Sequence, residues 1–335
     1  MEHPEPRFVI GLTAVILALD GDRPVVLVVK DAATETGGGL AGLPVGPFDP
    51  EGHRTFELAL RAFVRAQTGF EIGYVEQLYT FGDRGREAPR AHMGDRPDAR
   101  VVSVTYLALA SAPGDAPGGA WSGWYEFFPW EDWRGGRPGL LDAEIAPRLR
   151  AWADGAEGQG RRAARWARAK LAFALDGAEW NEERVLDRYE LLYEADLAPE
   201  AAQDRERAEG RAPPPLGAQA LAPGLGLPMA SDHRRILATA IQRLRAKIKY
   251  RPVIFEVTPA LFTLSALQEA VEGVIGLKLH KQNFRRALAA SGLVEGAGRM
   301  ETSTGGRPAE LHRFRREILS ERPALGVAAP RLKEG

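Results

Sequence analysis

Apolar residues along the chain recur first with the period of strands and later with that of helices, and each change of period marks a predicted element. Phe8 to Asp31 holds two β-branched, apolar runs on either side of Asp20-Gly21-Asp22, which predicts a hairpin. A Gly-rich loop follows from Ala32 to Gly42, and its Gly37-Gly38-Gly39 suits either the close approach of a ligand or plain solvent exposure. Leu40 to Ile72 then leads from a strand end and tight turn, Leu43-Pro44-Val45-Gly46, into a helix that stops at Thr68-Gly69. Phe56, Leu60, Phe63 and Val64 follow the i, i+4, i+7, i+8 rule and give that helix a core face. Strands are predicted at Glu71–Phe81, Val101–Leu109 and Trp124–Trp130, and a closing helix at Asp142–Trp152.

The second half reads mainly as helix. Arg162–Leu175 and Asn181–Ala195 are amphipathic, the latter opened by Asn181 as N-cap with Glu182 and Glu183 in its first turn. Its apolar stripe, Tyr189, Leu192 and Tyr193, is expected to pack on the following linker or on a second subunit. Residues 197–230 are rich in Ala, Pro and Gly without a period, which predicts a disordered or loosely held linker. Ser231-Asp232 then cap a helix to Lys249, Arg251–Val257 reads as a short strand, and Thr258-Pro259 breaks it. Thr263 or Ser265 caps a helix ending at Gly276, a turn at Leu277–His280 follows, and a second helix runs from Lys281 to Gly292. A hairpin is predicted from Arg299–Thr302, a turn at Ser303–Arg307, and a return strand at Glu310–Phe314. Helix, strand, helix, turn, helix, hairpin is the order of a winged helix-turn-helix.

Composition narrows the choices. Charged residues make up 27% of the 335 and hydrophobic ones 44%, as in a soluble globular protein. No apolar run reaches about 18 residues and no basic-then-apolar leader precedes the hairpin, so neither a membrane span nor a signal peptide is expected. The absence of cysteine excludes disulfides and thiolate zinc sites and fits a cytoplasmic protein; the six histidines show no metal-ligand spacing. Net charge is −1, yet residues 231–335 carry 19 Lys and Arg against 10 Asp and Glu, whereas 1–230 carry 25 against 35. That asymmetry assigns any polyanionic partner to the back half.

Leu40 to Ile72 resembles the Nudix box, in which a Gly and a Glu precede an Arg-Glu-apolar-x-Glu-Glu-x-Gly helix. With Gly69 on the terminal glycine, Val64 takes the apolar position, Ala62 the Arg, Phe63 the first helical Glu, and Ala66 and Gln67 the Glu pair. Diphosphate cleavage needs a magnesium ion held by hard oxygen ligands. Residues 58–70 contain no Asp or Glu, so no small slip in register restores the cage. The resemblance therefore implies the Nudix fold without its chemistry, with no catalytic residue and no metal.

In a winged helix the second helix of the pair enters the major groove. Lys281, Gln282, Asn283, Arg285 and Arg286 lie at the start of that helix, and Arg307 lies at the wing tip beside Gly305 and Gly306. Asn and Gln can pair with adenine, Arg with guanine, and other cations sit on phosphates. An ordinary solvated helix face is the competing account of the same residues. The segments YRPVIFEVTP, FTLSALQ, NFRRAL, GLVE and GGRPAELHRF resemble the C-terminal domain of NrtR-like, Nudix-related transcriptional regulators of NAD metabolism.

Together the two resemblances cover roughly residues 8–150 and 232–316 and imply an α+β protein. Its parts would be a degenerate Nudix-like domain (1–153), a helical segment (154–196), a linker (197–230), a winged helix (231–320) and a tail (321–335). They further imply a homodimer that binds double-stranded operator DNA and responds to ADP-ribose or a related NAD-derived nucleotide, with no cofactor required. Gly46, Arg84, Arg86 and Arg100 are the candidate pocket residues, placed only by their position near the box or before strand Val101. Two alternatives stand beside this reading. One is a metal-dependent hydrolase of ADP-ribose or another nucleoside diphosphate derivative, using Glu51, Glu57 or Asp83; the other is an interaction module whose basic domain meets RNA or a protein.

Overall fold

The computed structural model describes residues 8–30, 40–83, 100–211, 225–301 and 308–318. Strands β1 (Phe8–Asp20) and β2 (Arg23–Lys30) form the expected hairpin, with Gly21 at φ 64° in the turn. The short β3 (Ala41–Gly42) and β4 (Val45–Pro47) follow and pair with β2 and β1 respectively. Helix α1 (Phe56–Thr68) starts where Thr55 Oγ1 accepts from Leu58 N–H and ends at Gly69, whose φ of 73° closes the last turn. Strands β5 (Tyr74–Phe81), β6 (Arg100–Leu109) and β7 (Ala120–Gly123) complete a mixed sheet of order β3-β2-β1-β6-β5, in which β1 and β6 run parallel.

Alternation along β1 explains why this sheet is covered on both faces. Leu12, Ala14 and Ile16 meet Ala59, Leu60 and Val64 of α1 on one side. Val15, Leu17 and Leu19 point the other way, into the cluster built by the second half of the chain. Sequence and structure part at Trp124–Trp130, where only β7 just upstream is a strand. Helix α2 (Trp124–Phe127) and a short 3-10 turn (Pro129–Glu131) occupy the stretch instead. Five aromatics in seven residues favour a strand by propensity, but Trp124, Phe127, Phe128 and Trp130 must all reach one core, which a helical turn permits.

A wide turn (Leu141–Ile145) enters α3 (Ala146–Asp154), followed by α4 (Gln159–Phe173) and α5 (Val185–Glu194). Asn181 opens a turn rather than α5 itself: its side chain accepts from Glu183 N–H four residues before the helix begins. Tyr189 and Leu192 are buried in the core shared with the sheet, so their partner lies within the same chain. The supposed linker contains α6 (Pro199–Ala208), with Pro199 in its first turn and Glu200, Gln203 and Asp204 buried. Those polar groups have partners: Glu200 accepts from Met229 N–H, and Tyr193 OH donates to Asp204. The prediction of a loose segment therefore fails for this helix, while 212–224 lie outside the described residues.

Helix α7 (His233–Ile248) crosses behind the sheet, packing on α5 and reaching β1 and β5. Where a strand was expected at Arg251–Val257 the chain makes one 3-10 turn, Val253–Glu256, with Val253 and Ile254 buried. A run of apolar residues this short carries no period by which to tell strand from turn. Then come β8 (Phe262–Thr263), α8 (Leu264–Ile275), α9 (Lys281–Ser291), β9 (Val294–Glu301) and β10 (Ala309–Phe314). The three strands form a second sheet in the order β8-β10-β9. Leu267, Val271, Phe284 and Leu288 belong to the same buried cluster as Val15 and Tyr189, so one core runs through both halves.

Candidate nucleic-acid interface and the turn before the first helix

The helix pair is set by local signals. Thr263 Oγ1 accepts from Ala266 N–H to start α8, and Gly276 at φ 75° ends it. Glu272, 4% exposed at its side chain, latches the turn that follows. It accepts from Leu279 N–H at 2.9 Å, from Gln268 Nε2 at 2.8 Å and from Lys278 Nζ at 2.7 Å. Burial alone would raise the Glu272 carboxyl, but the hydrogen bonds from Lys278, Gln268 and Leu279 outweigh it and hold the group below the usual glutamate range. Nothing in the spacing singled Glu272 out, because a glutamate inside an amphipathic helix normally faces water.

On α9, Phe284 and Leu288 are buried and anchor the helix, with Ala287 half-buried beside them. Lys281, Gln282, Arg285 and Arg286 are exposed and Asn283 is half-buried, so the sequence-predicted contact residues share the outer side. No acidic residue lies in the first turn, and among the described residues no ion pair holds Lys281, Arg285 or Arg286. The edge thus combines three cations, two amides and the electropositive end of a helix, which suits phosphates and base edges. Arg307 lies outside the described residues, as does the rest of the wing tip at 302–307. Arg313 on the return strand and Arg315 just beyond it both face Glu295, at 2.7 and 3.8 Å.

The front box is closed by its own side chains. A Cβ built on buried Gly46 would stand 2.9 Å from the Phe63 ring, so Gly46 is the residue that lets Phe63 fill the space beneath the strand. Gln67 pairs with the backbone of Val45: Val45 N–H donates to its Oε1 at 3.3 Å, and its Nε2 donates to Val45 O at 2.5 Å. Ala62 and Ala66 are exposed. The carboxylates considered as substitute ligands are separately engaged or solvated: Glu57 pairs with Arg61, Asp83 with Arg235, and Glu51 is exposed. Among the described residues no three His, Asp or Glu side chains converge. Of the other pocket candidates, Arg100 begins β6, and Arg84 and Arg86 lie outside the described residues.

Polar contacts that sequence reasoning did not find hold the helix pair against the segment that follows β7. The last carbonyls of α8 are satisfied from outside the helix: Tyr125 OH donates to Gly273 O at 2.8 Å, Arg245 Nε to Val274 O at 2.9 Å and Trp133 N–H to Gly276 O at 2.8 Å. Glu131, 1% exposed, receives two buried guanidinium groups, Arg188 and Arg245. Arg188 also lies 3.8 Å from the centre of the Trp180 ring.

Residues 254–314 match the profile of the NrtR DNA-binding winged helix domain. The ADPR responsive transcriptional repressor NtrR of Acinetobacter baylyi is 40% identical over 90 residues, a stretch covering 27% of this chain and 36% of that protein. Shewanella oneidensis NrtR, solved with a 27mer DNA, superposes with a TM-score of 0.50 at 20% identity, covering 93% of this chain and 95% of that one. A MutT/nudix family protein from Enterococcus faecalis gives 0.51 at 15% identity, covering 93% and 89%. At such identities the two superpositions speak for the fold. The chain thus shares the fold of these two solved proteins, and its residues 254–314 form a winged helix similar to the NrtR DNA-binding type.

Proposed function

We propose that the chain is a transcriptional regulator whose winged helix binds double-stranded operator DNA and whose Nudix-like domain binds ADP-ribose, or a related NAD-derived nucleotide, without cleaving it. The observation that carries this reading is the exposed edge of α9: Lys281, Gln282, Arg285 and Arg286 face outward, and they fall inside the segment matching a DNA-binding winged helix. Asn283 and Arg307 complete the proposed contact set, Asn283 from the same helix turn and Arg307 from the wing. The effector assignment draws on the A. baylyi repressor, which is described as ADPR responsive.

A non-catalytic front domain follows from the chemistry of the box. Phe63, Ala66 and Gln67 provide no oxygen anion, and Gln67 is already committed to Val45. Backbone N–H groups and arginines can hold a diphosphate without a metal, and Gly46, Arg84, Arg86 and Arg100 are the residues proposed for that task. A nucleotide that binds the free and DNA-bound forms unequally must shift DNA affinity. The reading includes a cytoplasmic homodimer on a two-part operator; among the described residues no helix is long and apolar enough to cross a membrane.

The test is selection of duplexes from a random-sequence pool by the full chain, then titration of the winner with and without ADP-ribose across a salt series. Sequence-selective binding that weakens with salt and shifts with ADP-ribose is expected. Absence of any selected duplex, or magnesium-dependent release of AMP or phosphate from ADP-ribose at enzymatic rates, overturns the proposal.

A further inference from the structure

The box turn is gripped from two sides. On one side Gln67 of α1 holds both backbone groups of Val45. On the other, Leu43 N–H donates to Nδ1 of His233 at 3.0 Å, a contact between residues 190 positions apart. His233 is the first residue of α7 and is 1% exposed. A Cβ on Gly42 would lie 3.4 Å from the same Nδ1, so the imidazole stands directly against the chain. Its neighbours reinforce the seam: Ala230 N–H donates to Ala41 O at 2.9 Å, and Ala41 bridges to Met229.

Helix α7 carries that grip to the DNA-binding end. Its 16 residues span about 24 Å at the α-helical rise. Near its far end Arg245 is fully buried and donates to Val274 O of α8, to Glu131 and to Glu182 O. From Val274 the chain has only the Glu272-latched turn to cross before α9 begins. A shift of the box turn against α1 therefore moves the N-terminus of a stiff rod whose other end is bonded to the helix pair.

We propose that His233 is the positioning residue through which nucleotide occupancy of the front domain is transmitted to the DNA-binding helix, with α7 as the connecting rod. The inference rests on the regulator reading above. His233 touches neither proposed ligand; it acts through the Leu43 backbone. His233→Leu keeps most of the buried volume and removes the acceptor, whereas His233→Asn puts an oxygen close to where Nδ1 stands.

The experiment uses the full chain, ADP-ribose and the duplex selected by the unmodified protein. For each variant, ADP-ribose affinity is measured by calorimetry and duplex affinity with and without ADP-ribose by anisotropy. In the unmodified chain ADP-ribose is expected to change duplex affinity by about 5- to 150-fold, the usual span of coupling between sites. His233→Leu is expected to bind each ligand nearly as before while losing that change, and His233→Asn to restore it. A second measurement needs no variant: duplex binding is expected to alter hydrogen exchange at the Leu43 amide of the unmodified protein. An ADP-ribose effect that survives in His233→Leu, or unaltered exchange at Leu43, overturns the inference alone. No ADP-ribose effect in the unmodified chain overturns the regulator reading and the inference with it.

Discussion

The side-chain amide of Gln67 bonds to Val45 as one strand bonds to the next, accepting from its N–H through Oε1 and donating to its carbonyl through Nε2. A glutamate here could accept from the N–H, but its second oxygen would face the carbonyl with no proton to offer. Gln67→Glu is therefore expected to destabilise the front domain by about 1–3 kcal/mol, the penalty for a buried polar group left unsatisfied. Urea denaturation of the variant measures it. The same variant is expected to release no AMP from ADP-ribose with magnesium, because Phe63 and Ala66 still supply no ligand.

Arg285→Ala and Arg286→Ala probe the exposed edge of α9. Each is expected to cost about 1–3 kcal/mol of binding to the selected duplex if it contacts a base, or to reduce the salt slope by about one if it contacts phosphate. Neither should lower the melting temperature, since Phe284 and Leu288 on the opposite side hold the helix. Unchanged duplex binding in both variants would remove α9 from the groove.

Among the described residues, Glu131 is the carboxylate that pairs with both Arg188 and Arg245. Removing its charge leaves two guanidinium groups inside the core. Glu131→Gln is expected to lose about 3–5 kcal/mol of stability, as when one partner of a buried ion pair is deleted. The loss should appear as a fall in the urea midpoint of the whole chain in one transition.

Gly273 sets two general effects against each other. Alanine in a helix interior ordinarily gains about 0.5–1 kcal/mol over glycine. Here its Cβ would stand 2.3 Å from Asp22 O in the front hairpin turn, and such overpacking costs about 1–3 kcal/mol. The clash involves backbone, so it prevails: Gly273→Ala is expected to melt earlier and to bind the selected duplex more weakly. A higher melting temperature would refute the close docking of α8 on the hairpin.

The Glu272 latch predicts an acid sensitivity. Its carboxyl sits below the usual glutamate range in the folded chain, so its stabilisation is complete above the unfolded value and is lost as pH falls through the folded one. Chemical denaturation between neutral pH and pH values below the ordinary glutamate range should show that loss, and Glu272→Gln should flatten it.

Much of the fold was legible because its signals are local. Thr263, Gly276 and Gly292 bound the helix pair as capping chemistry predicts, and the β1–β2 hairpin follows from Asp20-Gly21-Asp22. The failures have physical causes as well. At α6, the Ala- and Pro-rich surroundings masked Pro199, which is itself a helix-start signal. Arg251–Val257 and Trp124–Trp130 are too short and too apolar for periodicity to decide between strand and turn. The outward face of α9 could be read from spacing, since Phe284 and Leu288 fix which side is inward. Contacts such as His233 with Leu43 and Arg245 with Glu131 could not, because they join residues 190 and 114 positions apart.

The unbroken core from Val15 through Ile241 to Phe284 leaves no place to cut the chain into two water-compatible pieces. A premature stop after α5 would strand apolar faces on both the sheet and the helices, and such fragments aggregate or are degraded. Such a stop also removes α9 with Lys281, Arg285 and Arg286, so a cell carrying that shortened copy is expected to resemble one with no copy at all.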